Sequence, residues 1–90
     1  MPYYIIERNY AEELNPTVEA AADINLINDE EDVRWIYSFL SADHRKSYCL
    51  YEAESIEAIR AAAVRAGLPA DVVTEVTARV MPDGILAGVT

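Results

Sequence analysis

Three carboxylates, Glu7, Glu52 and Glu75, and one phenol, Tyr37, are the side chains of this sequence best suited to chemistry. Each lies in a stretch that reads as a strand, and strands laid side by side bring such groups to one surface. Carboxylates held close repel one another, which raises one pKa or recruits a cation. The set could therefore serve as oxygen ligands to a metal or as a general base. The competing reading pairs the acids with Arg8, Arg34 or Arg79, or leaves them exposed at strand ends. Trp35 and Tyr37 could stack on a flat ligand or line a cavity; equally, they could form the apolar seam of a dimer, where aromatic residues are enriched.

The remaining reactive types carry less. Cys49 could be a soft metal ligand or a nucleophile, but it sits mid-strand with no histidine nearby in sequence, as an inert buried thiol does. His44 is the single histidine and falls in a polar turn beside Arg45 and Lys46, which reads as exposed. The acidic run Asp29 to Asp32 lacks the spacing and glycine of a calcium loop. No glycine-rich phosphate loop, nucleophile elbow or paired-histidine motif occurs.

The elements that must position these groups fit into one domain, since the chain has 90 residues. A chain this short has a thin core. With 52% hydrophobic residues it has apolar side chains to spare, and self-association is the simplest way to bury them. Sixteen acidic against seven basic residues give a net charge of −9, which repels phosphate backbones and anionic membrane surfaces and so argues against nucleic acid and membrane as partners. A lone cysteine excludes an internal disulfide. The start, Met-Pro-Tyr-Tyr-Ile-Ile-Glu-Arg, has neither a basic segment nor a long apolar one, and a cytoplasmic location is expected.

Tyr3 to Arg8 reads as a strand, rich in aromatic and β-branched residues. Asn15-Pro16 signals a helix start, and Thr17 to Asn28 reads as helix with two apolar stripes, Val18/Ala22/Leu26 and Ala20/Ile24/Ile27. Val33 to Ser41 alternates with period two, and Lys46 to Glu52 returns across a polar turn. That register sets Phe39 opposite Tyr48, Tyr37 opposite Leu50 and Trp35 opposite Glu52. Ser55 caps a second helix that ends at Gly67. Asp71 to Val80 reads as the last strand. Residues 1–80 thus form a ferredoxin-like α+β domain of order βαββαβ, a four-stranded antiparallel sheet with two helices on one face. Residues 81–90 form a C-terminal tail, an edge strand or a dimer contact.

Helices cover only one face of such a sheet. Ile36, Ser38, Leu40, Ser47, Cys49 and Tyr51, mostly small or aliphatic, are assigned to the covered face. The open face then carries Trp35, Tyr37, Phe39, Tyr48, Leu50 and Glu52, joined by Tyr3, Ile5 and Glu7 and by Glu75 from the last strand. A face so rich in rings and acids requires a partner.

Four stretches carry a family resemblance: Tyr4-Ile5-Ile6-Glu7-Arg8, Val33 to Ser38, Ser47 to Ala53, and Ala66 to Val76. In this order they resemble a family of small bacterial ferredoxin-like proteins of unassigned function, some members of which are named nickel-binding proteins. The resemblance covers roughly residues 3–80. It implies a homodimer and a divalent-metal role, with nickel the metal named. The metal-binding members carry histidines in the first and second strands, and the matching positions here are Glu7 and Tyr37.

Two functions follow from these readings. The first is a non-enzymatic homodimeric binding protein whose site on the open face uses Glu7, Tyr37, Glu52 and Glu75 for a divalent metal such as nickel. The second is a dimeric α+β-barrel enzyme, of the cofactor-free oxygenase or isomerase kind, acting on a small organic molecule in a pocket between subunits; it rests on fold analogy alone.

Overall fold

Alternation and capping residues set the elements of the computed structural model, which describes residues 1–90. Tyr3–Asn9 (β1), Arg34–Leu40 (β2), Lys46–Glu52 (β3) and Val72–Val76 (β4) form the main sheet, and Val18–Glu30 (α1) and Ile56–Ala66 (α2) are the helices. The sheet order is β2-β3-β1-β4, and every neighbouring pair is antiparallel. This is the ferredoxin-like α+β arrangement expected from the sequence.

Both helices pack on one side. Tyr4, Ile6, Cys49 and Tyr51 from the sheet meet Ile59 and Ala62 of α2, with Val33 and Ala53 completing the core and Ile27 of α1 against it. Ile6 and Ile59 mark its centre, at 0% and 1% exposure. Only one of the two apolar stripes of α1 turns inward: Val18 and Leu26 face water, at 83% and 64% exposure.

The ends of α2 match the sequence reading. The Ser55 hydroxyl accepts from the Ala58 amide at 3.2 Å, and Gly67 closes the helix in the left-handed region at φ +69°. The start of α1 does not. Thr17, not Asn15, is the cap, and its hydroxyl accepts from the Ala20 amide at 3.1 Å. Pro16 therefore precedes the helix, and the Asn15 side chain lies 3.3 Å from His44 Nδ1.

The central hairpin departs from the expected register at one point. Phe39 pairs with Tyr48 and Tyr37 with Leu50, as expected, but Trp35 pairs with Tyr51 rather than Glu52. Ile36 is an extra residue in β2, a β-bulge. Because side chains alternate, one inserted residue moves everything beyond it to the other face. Trp35 therefore leaves the open face and packs against the core, its ring stacked on Tyr51 at 6.4 Å and its Nε1–H donating to Ser38 Oγ at 2.8 Å.

The last strand is shorter than expected because β1 runs out as its partner: pairing begins at Glu7–Val72 and stops at Tyr3–Val76. Arg79–Val80 (β5) and Leu86–Ala87 (β6) then form a separate small hairpin. The tail thus pairs with its own chain and adds no edge strand to the main sheet. Arg79 Nε secures it by donating to the Gly88 carbonyl at 2.7 Å.

Candidate functional site

Cross-strand partners share a face, so the open side of the sheet can be read in three rows. These are Val72–Glu7–Tyr48–Phe39, Thr74–Ile5–Leu50–Tyr37 and Val76–Tyr3–Glu52–Arg34. Leu50 is buried at the centre, while Tyr37, Phe39 and Tyr48 around it remain 47%, 67% and 40% exposed; Val72, at 45%, lies on the far side of Glu7. Tyr37 meets Phe39 edge-on at 5.5 Å.

Glu7, Tyr37 and Glu52 reach this face but not a common point. Glu7 and Glu52 stand in the first and third rows, four residues apart along the strands, or about 13 Å. Each has a basic neighbour: Glu7 lies 3.7 Å from Lys46 Nζ, and Glu52 accepts from Arg34 Nε at 2.9 Å. Glu75 does not join them. It pairs with Tyr4, a core residue, and therefore belongs to the helix side of the sheet. No three His, Cys, Asp or Glu side chains in the chain come together closely enough to hold a metal ion. His44 Nδ1 lies 3.0 Å from the Leu14 carbonyl oxygen and braces the turn. Cys49 is buried on the helix side. Nickel favours nitrogen donors, and the open face offers only oxygens, so the residues of one chain do not fit it.

The helix side holds a feature that residue types alone conceal. A cavity of about 260 Å³ lies between α1 and the sheet. Its floor is Arg8, Ser47, Cys49 and Tyr51, its walls include Trp35 and Ile24, and exposed Asn15, Pro16 and Thr17 edge its mouth. Arg8 is there because Tyr4, Ile6 and Arg8 alternate inward along β1, and it is only 2% exposed. None of the four ion pairs of the structure includes it, so the expected pairing with an acid does not occur. Its guanidinium donates one hydrogen bond, to the Pro69 carbonyl, and lies 5.7 Å from the Tyr51 ring centre. Arginine stays ionised in proteins, so this is a buried charge without a counter-ion. Such a charge costs several kcal/mol, even after structural relaxation.

The polar groups around Arg8 are neutral. Asn28 Nδ2, buried beside Arg8 and Tyr51 in an adjoining void, has no hydrogen-bond partner. The Tyr10 hydroxyl and Ser47 Oγ bond to each other at 2.7 Å, with Cys49 Sγ at 3.4 Å from Ser47. Burial raises the Tyr51 phenol above its ordinary 10.0, against the opposing pull of the Arg8 charge and, more weakly, of the Asn28 and Arg8 donors turned toward its oxygen. Burial also raises Tyr10, against the Ser47 hydrogen bond. Both phenols are neutral at physiological pH. The cavity contains neither Glu7 nor Glu52.

These features define a small α+β domain with an uncovered aromatic sheet face and an interior cavity holding one unneutralised cation. A family model described as nickel responsive protein SCO4226-like matches residues 4–76, and the chain belongs to that family. The resemblance read from the four sequence stretches is thereby borne out. Among solved structures, SCO4226 from Streptomyces coelicolor A3(2) is similar, with a TM-score of 0.71 and 22% identity over 82% of this chain and 94% of that one. At that identity the likeness establishes the fold alone. A search of the curated proteins finds no match. No helix is long and apolar enough to cross a membrane.

Proposed function

We propose that the protein is a homodimeric, non-enzymatic binding protein that pairs through its open sheet face. The exposed patch of Tyr37, Phe39 and Tyr48 carries this reading, because the opposite face is already covered by helices. An isologous pairing would set the same patch of each copy against the other and bury its rings. The acids would then line one seam, with Glu7, Tyr37 and Glu52 contributed by both copies. A divalent cation held there takes oxygen donors from two chains, a set that one chain lacks. Glu75 takes no part.

Light scattering on the eluting protein tests the dimer. The wild type is expected at twice the chain mass, and Phe39→Asp at the monomer mass with an unchanged circular dichroism spectrum. A monomeric wild type rejects the pairing. Titrations with manganese and nickel test the metal separately. Nickel is expected to bind more tightly than manganese, as at any common donor set, and to lose its site in Glu7→Ala. Unchanged titrations in that variant would remove the acids from the proposal and leave only the dimer.

A further inference from the structure

The interior cavity is independent of the open face and carries its own chemistry. One observation defines what it lacks. Arg8 is a permanent cation buried with no carboxylate partner, in a chain with 16 acidic residues. What is missing is a negatively charged group in the interior. The rest of the lining is largely apolar, from Leu14, Ala21, Ile24, Trp35, Leu40 and Leu68. At about 260 Å³ the space is smaller than the roughly 300–1,000 Å³ of drug-sized sites.

We propose that this cavity binds a small organic monocarboxylate with an apolar body. The carboxylate accepts charge-assisted hydrogen bonds from the free edge of the Arg8 guanidinium. The apolar body lies along α1 against Ala21 and Ile24 and reaches Trp35. The single charge of Arg8 matches a monoanion; a phosphate dianion would leave one charge unmatched in an apolar interior. Asn15, Pro16 and Thr17 are exposed at the outer end while Arg8 is buried at the inner end, so the charged group enters first.

Trp35 is the only tryptophan and lines the cavity, so its fluorescence reports occupancy directly. The wild type is titrated with benzoate and octanoate, and with their uncharged counterparts benzyl alcohol and octanol. The carboxylates are expected to change the emission saturably and to bind roughly tenfold or more tightly than the alcohols, the scale of one charge-assisted hydrogen bond. Arg8→Met should bring the carboxylates down to the level of the alcohols, and Ala21→Phe should exclude all four probes. No saturable response to either carboxylate, or equal binding of carboxylates and alcohols by the wild type, overturns the proposal without any variant. A carboxylate preference that survives Arg8→Met also overturns it. The open-face acids do not enter this experiment, so its failure leaves the dimer reading untouched.

Discussion

Arg8→Met is the substitution on which the account of the interior can most sharply fail. Methionine is unbranched and uncharged and reaches about as far as the arginine Nε, so it keeps the apolar stem at this inward position of β1 and leaves the space of the guanidinium head to the cavity. The desolvation cost of an isolated buried ion is several kcal/mol, and the variant recovers it. Against this stand two losses. The charge-assisted hydrogen bond to the Pro69 carbonyl is worth about 1.5–3 kcal/mol. The contact with the Tyr51 ring is worth about 0.5–2 kcal/mol. Pro69 is partly exposed, so water can take over its carbonyl and the first loss falls at the low end. The balance favours the variant by about 1 kcal/mol, which for a domain of this size raises Tm by roughly 4–8 °C. Ile6→Ala, one inward position earlier, supplies the contrast, because it opens a hole in the core and costs about 2–5 kcal/mol. Thermal and urea unfolding of the ligand-free proteins measure both. If Arg8→Met melts as far below the wild type as Ile6→Ala does, the guanidinium is a structural clasp between β1 and the segment after α2. The Arg8 charge would then be compensated in the fold, not a net cost to it.

Two further predictions test the local account. Thr17→Ala and Ser55→Ala should each cost about 1 kcal/mol, read as a fall in Tm of roughly 4–8 °C, while Asn15→Ala, which removes no cap, should cost much less. At alkaline pH, Tyr10 and Tyr51 keep their protons in the folded chain beyond 10.0, where the unfolded chain releases them. Their contribution is therefore complete below pH 10 and declines as pH rises toward the folded values. Urea midpoints should fall over that window, with a shallower slope in Tyr51→Phe, and phenolate absorbance should show the buried phenols ionising late.

Much of the fold is written in short-range pattern. Tyr4, Ile6 and Arg8 alternate against Tyr3, Ile5 and Glu7, so the two faces of β1 can be read directly. Ser55 and Gly67 bracket α2 because each supplies the group or backbone freedom that a helix end lacks. The bulge at Ile36 is not legible in this way. Trp35-Ile36-Tyr37 reads as unbroken alternation, and what breaks it is tertiary: the indole gains burial and the Ser38 hydroxyl only by turning to the helix side. The face of Glu75 is hidden for a related reason: it depends on how β4 registers against β1, which local pattern does not contain. Arg8 was hidden by its type. Arginine is seldom fully buried without a partner, so a sequence reading sends it to the surface to meet an acid. The alternation of β1 is the signal that points it inward, and the buried Arg8 follows it.

The bulge also explains how one sheet can present two unrelated surfaces. With regular pairing, Trp35 would sit opposite Glu52 in the open-face row that ends at Arg34, and the cavity would lose a wall. The extra residue transfers the indole to the interior, where it stacks on Tyr51, the ring that also faces Arg8. What remains outside is Tyr37 against Phe39, a patch suited to another apolar surface. Charge divides along the same plane. Glu7 and Glu52 stay outside with Lys46 and Arg34, and the one cation inside meets no acid at all. In a chain of net charge −9, an inward arginine could readily have been given a carboxylate neighbour by a single substitution on α1 or α2. A buried charge lacking that neighbour lowers stability, and such costs concentrate where a protein meets its ligands.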